Sequence, residues 1–285
     1  MQVRNKRLAI RRRASLGRII AMAVLLGLSV LILIPLLWTF SMALKPDSEI
    51  YTRNFFPTRL EFSNFYRAVT SIPFFLFLWN TVKIVFLDVS FDVFSTALVA
   101  YGFSRFNFRG KRVWFLILLA TMMLPDQVRM IPQYLMFRQI GWVNTPLPLY
   151  IPRLFATNAF NVFLLRQFMS GIPKAFDEAA TIDGAGPLRI FSRVIVPMSK
   201  PVLTAVVVFA FMGAWNDFNR PLIYLNSQKN FTLAIGLAYF RGQYVSAWNL
   251  LMAAMVMVIL PVLLLFFLAQ DYIIEGISIS SGTKG

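Results

Sequence analysis

Long apolar runs constrain this chain more than any other feature of its sequence. Amide groups in hydrocarbon must be hydrogen-bonded within the protein, and about 20 apolar residues in a helix cross about 30 Å of lipid. Barrel strands are shorter and alternate strictly. Runs that can span lie at 18–44, 74–102, 113–135, 149–169, 202–224 and 247–270. The sequence therefore predicts an all-α polytopic membrane protein with six transmembrane helices.

The placement of basic residues predicts the orientation. Hydrophobic residues make up 58% of the chain and charged residues only 14%, too few charges for a soluble domain of 285 residues. The net charge is +16, but the basic residues lie mainly between the apolar runs, so a nucleic-acid partner is not expected. One side of the predicted membrane carries seventeen Lys and Arg and the other seven. Both termini are therefore predicted to be cytoplasmic.

The predicted layout follows from these runs. A basic cytoplasmic N-terminus (1–17) precedes the first transmembrane helix (18–44), a periplasmic loop (45–73), a five-helix core (74–270) and a cytoplasmic tail (271–285). The chain contains no cysteine and no histidine, which excludes thiolate metal sites and the usual general base. No catalytic residue, metal site or bound cofactor is expected in this chain.

A short cytoplasmic helix is predicted at 173–184, between the fourth and fifth runs. Pro173 suits a helix start, Asp177 and Glu178 suit its positive N-terminal half, and Gly184 suits a left-handed stop. Small residues surround one aromatic on one face, which would fit a groove in another protein. That face consists of Phe176, Ala179, Ala180 and Asp183. The alternative is an amphipathic helix lying in the lipid headgroup layer.

These residues carry a resemblance to a known family. Glu178-Ala179-Ala180, then Asp183-Gly184-Ala185 and Pro197, resemble the EAA loop of ATP-binding-cassette (ABC) importer permeases. Other stretches are similar to the carbohydrate branch, which contains the smaller permease of the maltose importer. They are Met122–Pro125, Ile131–Tyr134, Gly141–Thr145, Phe163–Phe168, Trp215–Phe218 with Pro221-Leu222, and Gly282–Gly285.

The resemblance implies a type I ABC importer permease of the bacterial inner membrane, with 74–270 as its transmembrane core. It implies a second homologous permease, two ATP-binding subunits that hold ATP and Mg, and an extracytoplasmic solute-binding protein delivering a sugar or related solute. The coupling helix would contact the ATPase through Phe176, Glu178, Ala179, Ala180, Asp183 and Gly184. The sequence agrees on one absence, since no G-x-x-x-x-G-K-[ST] phosphate loop occurs in it.

Polar residues inside the second and fifth runs are candidates for the solute pathway. Asp88 and Asp92 share one helix face, whereas Lys83 points elsewhere. The two aspartates either line a water-filled pathway or make structural polar contacts inside the bundle while Lys83 snorkels outward. Asn216 and Asp217 raise the same question, and Asp217 can pair with Arg220. The cluster around Trp215 is similar to clusters found across the carbohydrate branch, and this resemblance implies an architectural or gating role there.

Two other functions remain open from the sequence. An ion-gradient-driven secondary transporter could use Asp88 and Asp92 as ion sites, although such proteins usually show inverted repeats and more spans. A scaffold without a solute pathway would use the 173–184 helix only to recruit a partner. Proline residues 125, 132, 221 and 261 are expected to kink or end helices.

Overall fold

The computed structural model describes residues 2–243 and 247–281, and these residues form helices with no strand. The Gly282–Gly285 ending that contributed to the family resemblance lies outside the described residues, as does Met1. The α-helices, in chain order, are α1 Gln2–Ala43, α2 Ser63–Ser71, α3 Phe74–Arg105, α4 Lys111–Thr121, α5 Asp126–Gln139, α6 Leu147–Tyr150, α7 Ala159–Gly171, α8 Ala175–Ile182, α9 Pro187–Ile190, α10 Val196–Met198, α11 Lys200–Trp215, α12 Asn219–Tyr224, α13 Leu233–Gln243 and α14 Trp248–Ser281. Turns of 3₁₀-helix lie at Asp47–Glu49, Ile151–Phe155 and Gln228–Asn230, and a π-helical turn lies at Phe191–Ile195.

Two compact units divide the chain, and the first contains residues 1–70 and 243–257. Its α1 carries an apolar stretch, Arg18–Ala43, whose most apolar 18 residues have a mean hydropathy of 2.9, and none of those 18 residues is buried within the chain. Where α1 ends, buried Asn64 donates hydrogen bonds to the carbonyl oxygens of Ala43 and Lys45 at 2.9 and 2.8 Å. These bonds satisfy backbone acceptors that a helix end leaves unpaired.

The second unit contains residues 71–242 and 258–285, and α3 runs through its centre. Its 32 residues extend over about 48 Å at about 1.5 Å per residue, enough to cross a bilayer. Helix α3 packs against α7, α11 and the 3₁₀ turn Ile151–Phe155. The buried core between these helices uses small residues on α3, such as Ala97 and Ala100, against Leu165 and Val206. Small side chains allow helices to approach closely in a membrane.

Breaks interrupt the other apolar runs of the second unit. Helices α4 and α5 meet at 99°, with Pro125 at the N-cap of α5, and an 82° bend separates Pro187–Met198 from α11. The run predicted as a fourth span is α6, a 3₁₀ turn and the 13-residue α7, with Ala156 left-handed (φ 50°) before α7. The fifth run is divided between α11 and α12.

The described residues contain three helices long and apolar enough to cross a membrane, or five if each bent pair forms one span. The expected all-helical fold is therefore confirmed, whereas the expected count of six spans is not. The difference lies in the fourth run, 149–169, which is apolar but whose helix is interrupted before α7. Pro132 and Pro261 lie inside helices that continue past them, so these two prolines do not end a helix.

Candidate functional site

The predicted coupling helix is present as α8, Ala175–Ile182, two residues shorter at each end than expected. Pro173 precedes the helix instead of opening it, and the helix ends two residues before Gly184. Asp177 and Glu178 lie in its first turn, where the helix dipole favours negative charge. No residue of α8 is fully buried.

Five of the six predicted contact residues of α8 are exposed within this chain. They are Phe176, Glu178, Ala179, Asp183 and Gly184. Ala180 differs, because it is half-buried and packs against the core of the second unit. Phe176 is 47% exposed and Ile182 is 86% exposed, which leaves two large apolar side chains uncovered on a helix otherwise made of small and acidic residues.

Gly184 ends α8 in the left-handed conformation that the sequence predicts, with φ +77°. Gly184 N–H donates to the Thr181 carbonyl at 3.0 Å, and Ala185 N–H donates to the Ala180 carbonyl at 2.9 Å. This pair of bonds is a Schellman motif, in which a glycine avoids the steric cost of positive φ. The motif fixes where α8 stops.

Asp88 of α3 is fully buried and faces two arginines from interrupted segments. Arg153, in the 3₁₀ turn before α7, donates from Nε to Asp88 Oδ1 at 3.1 Å, and Arg220 Nη1 of α12 lies 3.8 Å from the same oxygen. Arg220 also donates to the Leu149 carbonyl at 3.2 Å. Asp88 therefore links α3 to two helix breaks.

Asp92 lies one turn further along α3, is also fully buried, and has neutral partners. Its Oδ2 accepts hydrogen bonds from Asn158 Nδ2 at 3.1 Å and Asn161 Nδ2 at 2.7 Å. Asn158 is the N-cap of α7, so this carboxylate holds the start of α7 against α3. Thr96 contributes a longer bond of 3.5 Å to the other carboxylate oxygen.

The fifth-run residues are more accessible. Asp217 pairs with Arg220 through its Oδ2, as the spacing predicts, whereas Asn216 is exposed and donates to the Met212 carbonyl at 2.9 Å. Lys83 is exposed, with its Nζ 5.7 Å from the centre of the Trp79 ring. Arg220 contacts both Asp88 and Asp217, so it links two of the four predicted pathway residues. Of these four residues, Asn216 is the exposed one.

The sequence interpretation missed the partners of these carboxylates. Arg153, Asn158 and Asn161 lie within or beside the apolar run 149–169, and polar groups in such a run require partners of their own. That requirement was the available signal. In the part of the chain that the structure describes, no group of three or more acidic, cysteine or histidine side chains could hold a metal ion.

The chain has long apolar helices, a buried charge network that links interrupted segments, and an exposed short helix that ends at a glycine. Together these features define a polytopic membrane transport subunit. Comparison with known proteins assigns the family. The chain belongs to the binding-protein-dependent transport system inner membrane components, which residues 93–279 match. It is thus a permease subunit of an ABC importer, located in the inner membrane.

Relatives and solved structures agree along most of the chain. An arabinooligosaccharide transport permease of Halalkalibacterium halodurans is 32% identical, with 88% of this chain and 91% of the relative covered. A diacetylchitobiose uptake permease of Streptomyces coelicolor is 31% identical, over 93% of this chain and 88% of the relative. A chain from the crystal structure of a bacterial ABC transporter involved in alginate import superimposes with a TM-score of 0.78 at 28% identity, covering 89% of this chain and 95% of that chain.

Proposed function

We propose that this permease imports a sugar, in particular an oligosaccharide, along a pathway formed with a second homologous permease. The observation that carries this proposal is the similarity over about nine-tenths of the chain to permeases for arabinooligosaccharides and diacetylchitobiose. The structural neighbour belongs to a transporter of the polysaccharide alginate. Three different saccharides occur among these proteins, so the class of solute is better supported than its identity.

The remaining subunits of the importer follow from the family. Its description as binding-protein-dependent supports a solute-binding protein outside the membrane that delivers the sugar. Two ATP-binding subunits would hold ATP and Mg, because the sequence of this chain has no phosphate-binding loop. They would dock on α8, where Phe176 offers an aromatic anchor beside exposed small residues.

Six membrane crossings and cytoplasmic termini complete the proposed arrangement. The excess of basic residues between alternate runs supports this orientation. The fourth crossing would consist of α6, the 3₁₀ turn Ile151–Phe155 and α7 together. Such an interrupted span is tolerated where protein surrounds it, and the contacts of Arg153 and Asn158 with α3 supply these surroundings.

The polar residues of the membrane core have separate roles in this proposal. Asp88 and Asp92 are buried and bonded within the chain, which supports a structural role in holding the interrupted segments to α3. Asn216 and Asp217 lie at the break between α11 and α12, where the exposed Asn216 amide could contact a passing sugar beside the Asp217–Arg220 pair. Their position supports a pathway or gating role.

A pull-down in mild detergent tests the assembly. Wild-type chain should recover a nucleotide-binding subunit and a second permease, identified by mass spectrometry. A Glu178→Arg, Gly184→Trp double variant should lose the ATPase and keep the permease, because Glu178 is exposed on α8 and the left-handed Gly184 fixes where that helix stops. An Arg53→Glu variant, a charge reversal on an exposed residue outside α8, is the control and should recover both.

Uptake into proteoliposomes tests the solute class. Labelled arabinobiose and diacetylchitobiose should enter when ATP and the binding protein are both present, and should not enter without ATP. Uptake that persists without ATP and stops when the ion gradient collapses would favour the ion-driven alternative. If folded wild-type chain recovers no ATPase, the assembly proposed above is wrong.

A further inference from the structure

Arg105 joins three helix ends on the same side of the second unit as α8. It is the last residue of α3, and its Nη1 donates to the carbonyl of Ile172, the C-cap of α7, at 3.0 Å. Its Nη2 lies 3.3 Å from Oδ2 of Asp177, in the first turn of α8. The two charged side chains are only 7% and 20% exposed, so water screens their attraction poorly.

Each charge lies at the helix end that favours it. Arg105 is at the negative C-terminal end of α3, and Asp177 is at the positive N-terminal end of α8. The planar guanidinium can reach a carbonyl and a carboxylate together, which a lysine cannot do in the same geometry. The pair therefore fixes α8 to the end of a span that crosses the membrane.

A second contact, from the last turns of α3, reaches the segment that follows α8 in the chain. The hydroxyl of Tyr101 donates to the carbonyl of Pro187, the first residue of α9, at 3.1 Å. Ile172 and Ile190, which flank α8 in the chain, are buried in the core, while α8 itself buries no residue. The Arg105–Asp177 pair is thus a direct link from α3 to an otherwise superficial helix.

Neighbouring carboxylates on α8 point in different directions. Asp177 is turned toward Arg105, whereas Glu178 is exposed and free to meet a partner. Successive helix residues are about 100° apart around the axis, which explains the difference. An ATPase docked on α8 would meet Glu178, and Asp177 would remain attached to α3.

We infer that Arg105 and Asp177 are positioning residues that transmit movement of α8 to α3. This inference rests on the proposed function, since it requires that an ATPase moves α8. Helix α3 carries Asp88 and Asp92, which hold the interrupted segments of the membrane core. Movement of the cytoplasmic end of α3 would therefore reach Arg220, which contacts Asp88. Because Arg220 also pairs with Asp217, the movement would reach Asp217 as well.

The test uses the far end of α3 as the reporter. Phe75 is in the first turn of α3, exposed, and about 45 Å from Arg105 along the helix. Because the chain has no cysteine, a Phe75→Cys variant accepts a single fluorophore. The labelled chain, purified with its co-purifying ATPase and permease, is mixed with ATP, and the fluorescence change is measured.

We expect Arg105→Asp and Asp177→Arg each to reduce the ATP-driven fluorescence change about tenfold while the ATPase still co-purifies. The double variant restores an ion pair in reverse and should recover part of the change, but not all of it, because the reversed charges oppose both helix dipoles and an aspartate cannot donate to the Ile172 carbonyl. Arg109→Asp, an exposed charge in the following loop, is the matched control and should leave the change intact.

Single variants that keep the full fluorescence change, or a double variant no better than either single, would overturn the inference. If the charge reversals do not assemble, Asp177→Asn removes the charge at nearly constant size, and an unchanged signal from it would overturn the inference equally. Failure of wild type to recover an ATPase would instead count against the proposed function. A wild-type complex that hydrolyses ATP without any signal at Phe75→Cys would contradict only the movement of α3.

Discussion

Asp88 and Asp126 each contact an arginine, but one pair is buried and the other is exposed. The Asp88 side chain is 1% exposed beside Arg153, and the Asp126 side chain is 88% exposed beside Arg129. Burial makes an unpaired charge costly, whereas an exposed pair contributes little because water and salt screen it. The two aspartates therefore make a matched comparison within one chain.

We expect Asp88→Asn to lower the free energy of unfolding by about 2 to 3 kcal/mol, less than for a fully enclosed pair because Arg153 is partly exposed. Asp126→Asn should cost less than about 1 kcal/mol. Chemical unfolding in mixed detergent micelles measures both values. Equal effects would mean that the Asp88 network does not stabilise the core, and a pathway role for Asp88 would then be favoured.

Asp47, in the loop after α1, gives the first unit a dependence on pH. Hydrogen bonds from Arg67 and Asn249 lower the pKa of its carboxyl below the usual 3.8. A lowered pKa in the folded state means that the stabilisation is complete above the unfolded pKa and is lost as pH falls through the folded one. Since the Asp47 side chain is 60% exposed, the effect should stay below about 1 kcal/mol.

The measurement is the difference in unfolding midpoint between wild type and Asp47→Asn as a function of pH. The difference should be constant from pH 8 to about pH 5 and should shrink below about pH 4. A difference that grows as the pH falls would have the wrong sign for a carboxylate stabilised in its charged form.

Apolar runs predicted where the long helices lie, but they did not predict whether each helix is continuous. Helices α3 and α14 begin at Phe74 and Trp248, within one residue of the expected starts. The run at 149–169 contains a 3₁₀ turn and left-handed Ala156, because its backbone groups find partners in protein. Hydropathy reports the solvent around a segment, and continuity depends on contacts distant in sequence.

The candidate site shows the same division. Local rules predicted the first-turn acids of α8 and the stop at Gly184, since both depend on backbone geometry within a few residues. The partners of Asp88 and Asp177 come from residues 65 and more than 70 positions away, respectively, which no local pattern encodes. Only the expectation that buried charges require partners was available beforehand.

Gly236 marks a close contact between α13 and α3. A Cβ atom at this position would collide with the ring of Phe77, which is 2% exposed and cannot easily move. We expect Gly236→Ala to destabilise the protein by about 1 to 3 kcal/mol through overpacking. Thermal unfolding in detergent measures the change.

Gly213→Ala, in α11, is the matched control, because nothing lies within 4 Å of its Cβ position. There the substitution should be neutral or stabilising, since alanine is the better helix former. If both variants unfold at the same temperature, α13 does not pack on α3 as closely as the structure shows.

The whole molecule poses the question of how often the chain crosses the membrane. The crossing that decides between five spans and six is the interrupted segment between α5 and α8. Its buried partners on α3 surround the interrupted helix with protein. Four basic residues follow it on the side predicted to be cytoplasmic, namely Lys174, Arg189, Arg193 and Lys200. Both observations favour a true crossing over a re-entrant loop.

Single cysteines test this crossing, because the native chain contains none and labelling has no background. Gln139 and Ser192 are exposed on either side of the segment, and Asn54 and Asn107 are exposed in loops predicted to be outside and inside. In intact cells stripped of any outer membrane, an impermeant maleimide should label Gln139→Cys and Asn54→Cys at once. Asn107→Cys and Ser192→Cys should react only after the membrane is opened, since they lie with the basic loops on the cytoplasmic side. Labelling of Gln139→Cys and Ser192→Cys from the same side would show that residues 149–171 enter and leave on one face, and the six-span arrangement with both termini cytoplasmic would then be wrong.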